Sequence, residues 1–433
     1  MRLILYIQKK IKKSTFGKNI MLITGGTAFA QALGIIFSPI ITRIYPPEQY
    51  GVLTAYSAVL GLLAISASFD YQNAIPIADD DDMAINLLVL SMSFLSIVVL
   101  IIFVLLTLYG EHFLKLMDSE VLSSYKYLIP FGVFFTGTYN IVLQWGFRER
   151  NYKIITRTKI SQSITSNLTK LIFGLMKFGP VGLILGVIIG QSAGITSLIT
   201  PVIKKKELLL AVSQQRLKQV MKRYKNFPLY SAPSNYVYTA GNNLPVVLLV
   251  SFFGTSAVGL FGLANSITSL PMSLIGNSVS QVFYSEAAKI GKDNPDKIKS
   301  IAQKLIKQIA LIALIPFVIL LLFGPWLFSF VFGSEWYDAG VYSQMLSFMV
   351  YFHFIITPVG RILEIFERQR EGLLLNITRL ILIFVAFVIT KTMNLNSYQA
   401  VGLYSIFSSI TYVALLVMVM KILDSEIKRV NNQ

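Results

Sequence analysis

Lys159, Gln162, Ser163, Ser166, Thr169 and Lys170 recur at three- and four-residue spacing inside one largely apolar stretch. Such spacing puts all six on one side of a helix, while Ile160, Ile164, Leu168, Leu171 and Leu175 cover another. A lysine at the centre of a membrane helix costs roughly 2.5–3.5 kcal/mol, so this face must meet water or a partner helix rather than lipid. Other apolar stretches carry similar groups: Ser231, Ser234, Asn235, Tyr238, Asn242 and Asn243 in one, Thr24, Thr27, Gln31, Gly34 and Ser38 in another. Asn140 and Gln144 lie in a third, Asn376 and Arg379 in a fourth. The chemistry such groups perform is binding. Cations and amides attract and hydrogen-bond an anionic, polar cargo such as a phosphate-bearing head group. A proton-coupled exporter of cations would instead carry a carboxylate deep in a helix, whereas here the acids stand at helix ends (Asp70, Glu286, Glu364). For the Ser, Thr and Gly positions, close helix packing is an equally sufficient use. The Lys170 stem is long enough to snorkel toward the outer end of its helix, and Arg43 and Arg148 cap helices, where they also anchor.

The residue types that do covalent or metal chemistry are scarce. The chain has no Cys, and His112 and His353 are its only histidines, so neither a thiolate nor a histidine cluster is on offer. No GxxxxGK[ST] loop is present for nucleotide phosphates, and no Ser-His-Asp arrangement occurs. Asp79–Asp82 reads as a solvated helix start on a short loop, not a metal site. The longest loop on the outer side, about 110–124, holds no domain and no paired acidic motif of the kind an integral glycosyltransferase or polymerase uses. No enzyme activity and no cofactor are expected.

The elements that must position the polar groups are transmembrane helices. Hydrophobic residues make up 54% of the 433 and charged residues 14%, far from the balance of a soluble domain. Twelve apolar stretches are long enough to cross a bilayer core about 30 Å thick: 19–43, 50–69, 84–109, 125–147, 155–177, 180–203, 228–252, 257–283, 303–324, 338–360, 372–391 and 399–420. The fold class is therefore all-α and integral to a membrane. With the N-terminus inside, the inner segments and the adjoining helix ends hold 31 of the 38 Lys and Arg, and the outer loops hold five (Arg43, Lys115, Lys126, Lys177, Lys391). That bias predicts a multi-pass membrane protein with both termini cytoplasmic. It also accounts for the formal charge of +17 without nucleic acid. The opening MRLILYIQKKIKKSTFGK has too short an apolar run for a signal peptide and reads as a basic interfacial segment.

A basic linker, 204–227, divides the chain into an N-terminal lobe, 1–203, and a C-terminal lobe, 228–433, of six spans each. The halves carry a weak echo. Phe16-Gly17-Lys18-Asn19 resembles Arg223-Tyr224-Lys225-Asn226, and the run from Tyr45 to Gly51 resembles that from Phe253 to Gly259, both at an offset of about 207–208 residues. An even number of helices per repeat relates the lobes by an axis along the membrane normal, which predicts two pseudo-symmetric six-helix lobes around a central cavity. Prolines fall inside spans 1 (Pro39), 7 (Pro233, Pro245), 8 (Pro271), 9 (Pro316) and 10 (Pro358). Each removes a backbone hydrogen bond and kinks its helix. Static shape is sufficient reason for them, but the matched places of Pro39 and Pro245 make spans 1 and 7 candidates for bending.

Several segments resemble the Wzx-type O-antigen and polysaccharide flippases of the multidrug/oligosaccharidyl-lipid/polysaccharide exporter superfamily. They are FGKNIMLITGGTAFAQALGIIFSPIITRIYPPEQYG at the start, YSAVLGLLAISASFDYQNAI, WGFRERNYK after span 4, and FGSEWYDAGVYSQML entering span 10. The resemblance covers nearly the whole length. It implies alternating access to a cationic cavity and an undecaprenyl-diphosphate-linked oligosaccharide as cargo. Coupling to H+ or Na+ and contact with a polysaccharide polymerase complex are compatible with it. On this reading Arg43, Arg148, Lys170 and Arg379 attract the diphosphate or acidic sugars, and Gln31, Asn140, Gln144, Asn235 and Asn242 offer hydrogen bonds to sugar. Asp70 serves a gate or the coupling step. The rival readings are a cation-coupled multidrug antiporter of the same superfamily, a lipid II flippase, an integral glycosyltransferase or polymerase, and a purely structural membrane partner.

Overall fold

A computed structural model describes residues 15–65, 67–116 and 120–431; most of the basic interfacial segment expected at 1–18 lies outside them. Long helices dominate, and no strand occurs among the described residues. Their order is α1 (Thr15–Ile44), α2 (Pro47–Ala64), α3 (Asp81–Leu116), α4 (Leu128–Arg148), α5 (Tyr152–Leu175), α6 (Pro180–Ser192), α7 (Ile195–Lys204) and α8 (Gln214–Arg223). They are followed by α9 (Ala232–Thr268), α10 (Asn277–Ile290), α11 (Pro295–Phe332), α12 (Tyr337–Ile356), α13 (Gln369–Thr392) and α14 (Ser397–Asn431). Each of the twelve expected spans has its helical segment. Span 6 is broken at Ala193–Gly194 into α6 and α7, and spans 7 and 8 meet inside α9 at Gly254, whose φ of +76° is open to glycine and ends the helical run. A one-turn π-helix, Met272–Gly276, follows Pro271 in span 8.

Length and apolarity alone single out eight helical stretches as membrane-spanning, with Phe227–Ile290 counted as one. Helices α2, α4 and α5 are not among them. For α5 the cause is its polar stripe, which lowers the mean while leaving 24 residues of unbroken helix. The chain is a multi-pass, all-α membrane protein.

By internal packing the chain forms two compact units, Met1–Gly259 and Leu260–Gln433. Residues 228–259, although the linker separates them from the first half in sequence, pack with it. The first unit is built on a core from α2, α3 and α4, including Tyr56, Val59, Ile85, Leu95, Val133 and Trp145. Helix α5 lies between α1 and α6. Small residues set those spacings: a Cβ on Gly26 would fall 2.0 Å from Thr156 Cγ2, and one on Gly190 would fall 2.6 Å from Ser166 Cβ. In the second unit α12 packs on α11 and α14, with Gly324 and Gly340 crossing at backbone distance.

Candidate functional site

The polar stripe of α5 is satisfied by neighbouring helices. Thr156 Oγ1 donates to the Leu22 carbonyl at 3.2 Å, Ser163 Oγ to the Ala30 carbonyl at 2.7 Å, and Lys159 Nζ to Thr27 Oγ1 at 3.0 Å. On the other side, Gln162 Nε2 donates to the Gln191 carbonyl and Ser161 Oγ to the Ala193 carbonyl, both at 3.3 Å. Of the two expectations, water or a partner helix, the partner helix holds for these groups. Lys170 continues the stripe differently. Its stem lies against α6, where a Cβ on Gly186 would come within 2.4 Å of Lys170 Cγ. Tyr45 Oη donates to its backbone carbonyl at 2.8 Å. Its ammonium forms no ion pair among the described residues.

At the far end of α2 the chain enters a 3₁₀ turn, Tyr71–Ile77, through Asp70, which has φ +59° and is 1% exposed. The Asp70 carboxylate accepts from Asn235 Nδ2 of α9 at 2.6 Å and from Gln72 Nε2 at 3.4 Å, and Ser68 Oγ donates to Gln72 Oε1 at 2.5 Å. Gln144 Nε2 of α4 reaches Asn73 Oδ1 at 3.3 Å in the same turn. Three sequence-designated residues, Asp70, Gln144 and Asn235, are thus gathered on one turn of backbone. Burial raises the Asp70 carboxyl above its ordinary range, and the hydrogen bonds from Asn235 and Gln72 oppose that rise. A buried carboxylate held by amides, with no arginine or lysine paired to it among the described residues, is suited to taking up a proton or a small cation.

Arg148 serves this loop rather than an open surface. Its guanidinium forks onto Asp81, with Nε at 2.9 Å and Nη2 at 2.8 Å from Oδ1, and Nη1 donates to the Ala78 and Ile75 carbonyls at 2.9 and 3.2 Å. The acidic run is correspondingly more than a solvated helix start. Asp80 caps α3 through the Met83 amide at 2.6 Å, Asp79 pairs with Arg223 at 2.7 Å, and Asp82 pairs with Arg216. Both arginines belong to the linker helix α8, whose Leu217 and Val220 pack on the unit's core. Tyr71 Oη also donates to the Met221 carbonyl at 3.2 Å. The sequence signal for this docking was present, four acids and a basic amphipathic helix, but their separation of more than 130 residues hid the pairing.

In the second unit Arg379 is buried, with its guanidinium 5.4 Å from the Tyr412 ring centroid. Tyr412 in turn stacks on His353 at 4.3 Å and 9°. Helices α12, α13 and α14 thus build a cation-on-aromatic column, whose ring members sequence reasoning did not single out. The remaining designated residues are dispersed. Arg43 is exposed at the end of α1, Asn242 is exposed on α9, and Gln31 and Asn140 are half-buried on α1 and α4. Pro39 and Pro245 both lie inside their helices, with Thr42 Oγ1 bonding the Pro39 carbonyl at 3.2 Å.

A helical fold long and apolar enough to cross a membrane many times, with polar side chains gathered inside it, defines the class as a multi-pass all-α membrane protein. The structure resembles the lipid II flippase MurJ in an inward closed conformation, with TM-score 0.72 and 15% identity over 92% of this chain and 87% of that one. It also resembles an inward-facing multidrug resistance MATE family transporter of the MOP superfamily, with TM-score 0.68 and 17% identity over 93% and 96%. At these identities the likeness establishes the fold. The sequence model of the polysaccharide biosynthesis protein family matches residues 40–341, and the chain belongs to that family. A curated relative, the teichuronic acid biosynthesis protein TuaB of Bacillus subtilis (strain 168), is 25% identical over 143 residues. That match spans 33% of this chain and 29% of the relative.

Proposed function

We propose that this protein flips an undecaprenyl-diphosphate-linked oligosaccharide from the inner to the outer leaflet of the cytoplasmic membrane, by alternating access, for O-antigen, capsular or exopolysaccharide assembly. The observation that carries this is the conjunction of a polysaccharide biosynthesis family sequence with a transporter fold. A polysaccharide protein built mainly of membrane helices is suited to moving a sugar carrier. The physical need is plain: each bare hydroxyl costs roughly 4–8 kcal/mol to move from water into hydrocarbon, so several sugars and a diphosphate do not cross unaided.

In this reading Lys170 and Arg379 are the cations that meet the diphosphate or acidic sugars. Each is held within its own unit, Lys170 against α6 and Arg379 over the Tyr412 ring, and Lys170 forms no ion pair with a carboxylate among the described residues. Asn140 and Asn242 offer hydrogen bonds to sugar, as does Gln31. Arg43 attracts cargo at the outer rim, while Arg148 acts through the inner loop it clamps. Asp70 is the coupling group for H+ or Na+, and breaking its bond to Asn235 frees α9 from the end of α2. Both termini are cytoplasmic, and the two six-helix lobes are joined through the 204–227 linker.

Complementation of a strain lacking its own O-unit flippase tests the cargo. Restored long-chain polysaccharide, falling by about tenfold or more in Lys170→Ala and Arg379→Ala at equal expression, is the expected result. Unchanged polymer in both variants contradicts the cationic assignment. The buried Asp70 carboxylate also favours a second reading, cation-coupled drug export, which drug-efflux measurement on the same strains separates.

A further inference from the structure

At the other end of α2 from Asp70, two backbones meet with no side chain between them. A Cβ on Gly51 would sit 1.9 Å from the Thr255 carbonyl oxygen and 3.1 Å from the Gly259 nitrogen. A Cβ on Gly259 would sit 1.9 Å from the Pro47 carbonyl oxygen and 2.9 Å from the Gly51 nitrogen. The obstructing atoms are main chain, so no rotamer change relieves them. The contact is also reciprocal. Thr255 follows Pro47 by 208 residues and Gly259 follows Gly51 by the same interval, the offset at which the two halves echo one another. Each residue meets the counterpart of its own partner, which is the signature of a two-fold axis. All four residues lie in the first unit.

We infer that this glycine-on-glycine crossing is the seal at the end of the helices remote from the basic linker, and that it lies on the axis relating the internal repeats and parts during each transport cycle. The inference rests on the transport reading above. Helix α2 and the turn that follows it are joined to α9 by different means at the two ends: a hydrogen-bonded carboxylate at Asp70–Asn235, and a buried backbone contact at Gly51–Gly259. Alternating access requires the two ends to open in turn. A contact made by glycine alone closes tightly without interlocking side chains, so it separates without repacking a core. Because the crossing is two-fold, substituting either glycine must have the same effect, and substituting both must add little.

The chain has no native Cys, so Thr255→Cys introduces a single thiol beside the seal while keeping the carbonyl that forms it. A membrane-impermeant maleimide added from outside reads its exposure. In Gly51→Ala and Gly259→Ala, labelling is expected to rise at least threefold and to the same extent, with transport falling about tenfold. Gly241→Ala, where a Cβ meets nothing within 4 Å, serves as the control and should match the parent. Unchanged labelling in correctly folded Gly51→Ala and Gly259→Ala proteins overturns the inference. Should those variants not fold, spin labels at Glu48→Cys and Ser256→Cys in the native-glycine chain decide: two distance populations support a seal that parts, and one fixed distance overturns it. Labelling and distance do not depend on the cargo, so a parent protein that moves no lipid-linked glycan would sink the proposed function alone.

Discussion

Asp70 is the residue whose environment most clearly departs from what its side chain prefers. A carboxyl that holds its proton more tightly folded than unfolded gains stability as pH falls through its folded value toward the ordinary carboxylate range, and loses that gain above it. Thermal midpoints should therefore rise as pH falls toward the ordinary carboxylate range in the parent and lose that component in Asp70→Asn, which keeps a partner for Asn235. Parallel profiles for the two proteins would show that Asp70 does not titrate there. Arg379 makes a different demand. Its planar guanidinium lies over Tyr412, and lysine is a compact, more strongly hydrated charge. Arg379→Lys should recover only part of the polymer lost in Arg379→Ala, and Tyr412→Leu should weaken export in the same direction. Full rescue by lysine would reduce the role to charge alone. Sequence reading reached Asp70, Asn235, Lys170 and Arg379 because a polar residue in an apolar stretch is conspicuous. It did not reach Tyr412 and His353, since aromatic residues in a membrane helix are ordinary until a cation is found stacked on them.

Among elements, the most constrained is the turn between α2 and α3, which Arg148 clamps from α4. Removing that guanidinium leaves the Ile75 and Ala78 carbonyls without their donor, so Arg148→Ala should lower stability by about 2 kcal/mol, and Arg148→Lys should restore little because it cannot fork. Equal melting of the three proteins would contradict the clamp. Close packing of α5 on α6 gives a second expectation. Gly190→Ala places a methyl group against the Ser166 Cβ and Cα and should cost roughly 1–3 kcal/mol, and Gly186→Ala, which meets Lys170 Cγ at 2.4 Å and the Ser166 carbonyl oxygen at 3.0 Å, should cost a comparable amount. Denaturant titration in detergent compares the two. The helices themselves were legible in sequence because a run of some 20 apolar residues has few other fates. Their partners were not: the stripe on α5 announced that it would avoid lipid, but only packing showed that α1 and α6 take up its hydroxyls and amides. Likewise the linker, the longest polar stretch, looks like the division of the molecule. Its docking through Arg216 and Arg223, together with Asp70–Asn235, explains why residues 228–259 pack with the first unit instead.

For the molecule as a whole, the charge asymmetry is the feature with the widest reach. In the orientation proposed for the chain, it turns the linker, the acidic turn and both termini toward the cytoplasm. Single cysteines at Lys218 and Ser397 should be reached by impermeant reagent from the inner and outer face respectively; the reverse pattern would invert the direction of transport. The fold is shared with drug transporters and a lipid flippase alike, so the cargo is a question for chemistry rather than architecture. The most direct measurement uses purified protein in liposomes carrying undecaprenyl-diphosphate-linked disaccharide, with an added glycosidase that reaches the outer leaflet only. Digestion is expected to progress past the outer-leaflet half toward completion, and to slow about tenfold or more in Lys170→Ala and Arg379→Ala. Digestion that halts at the outer-leaflet half, as in protein-free liposomes, would contradict flipping of this class of lipid.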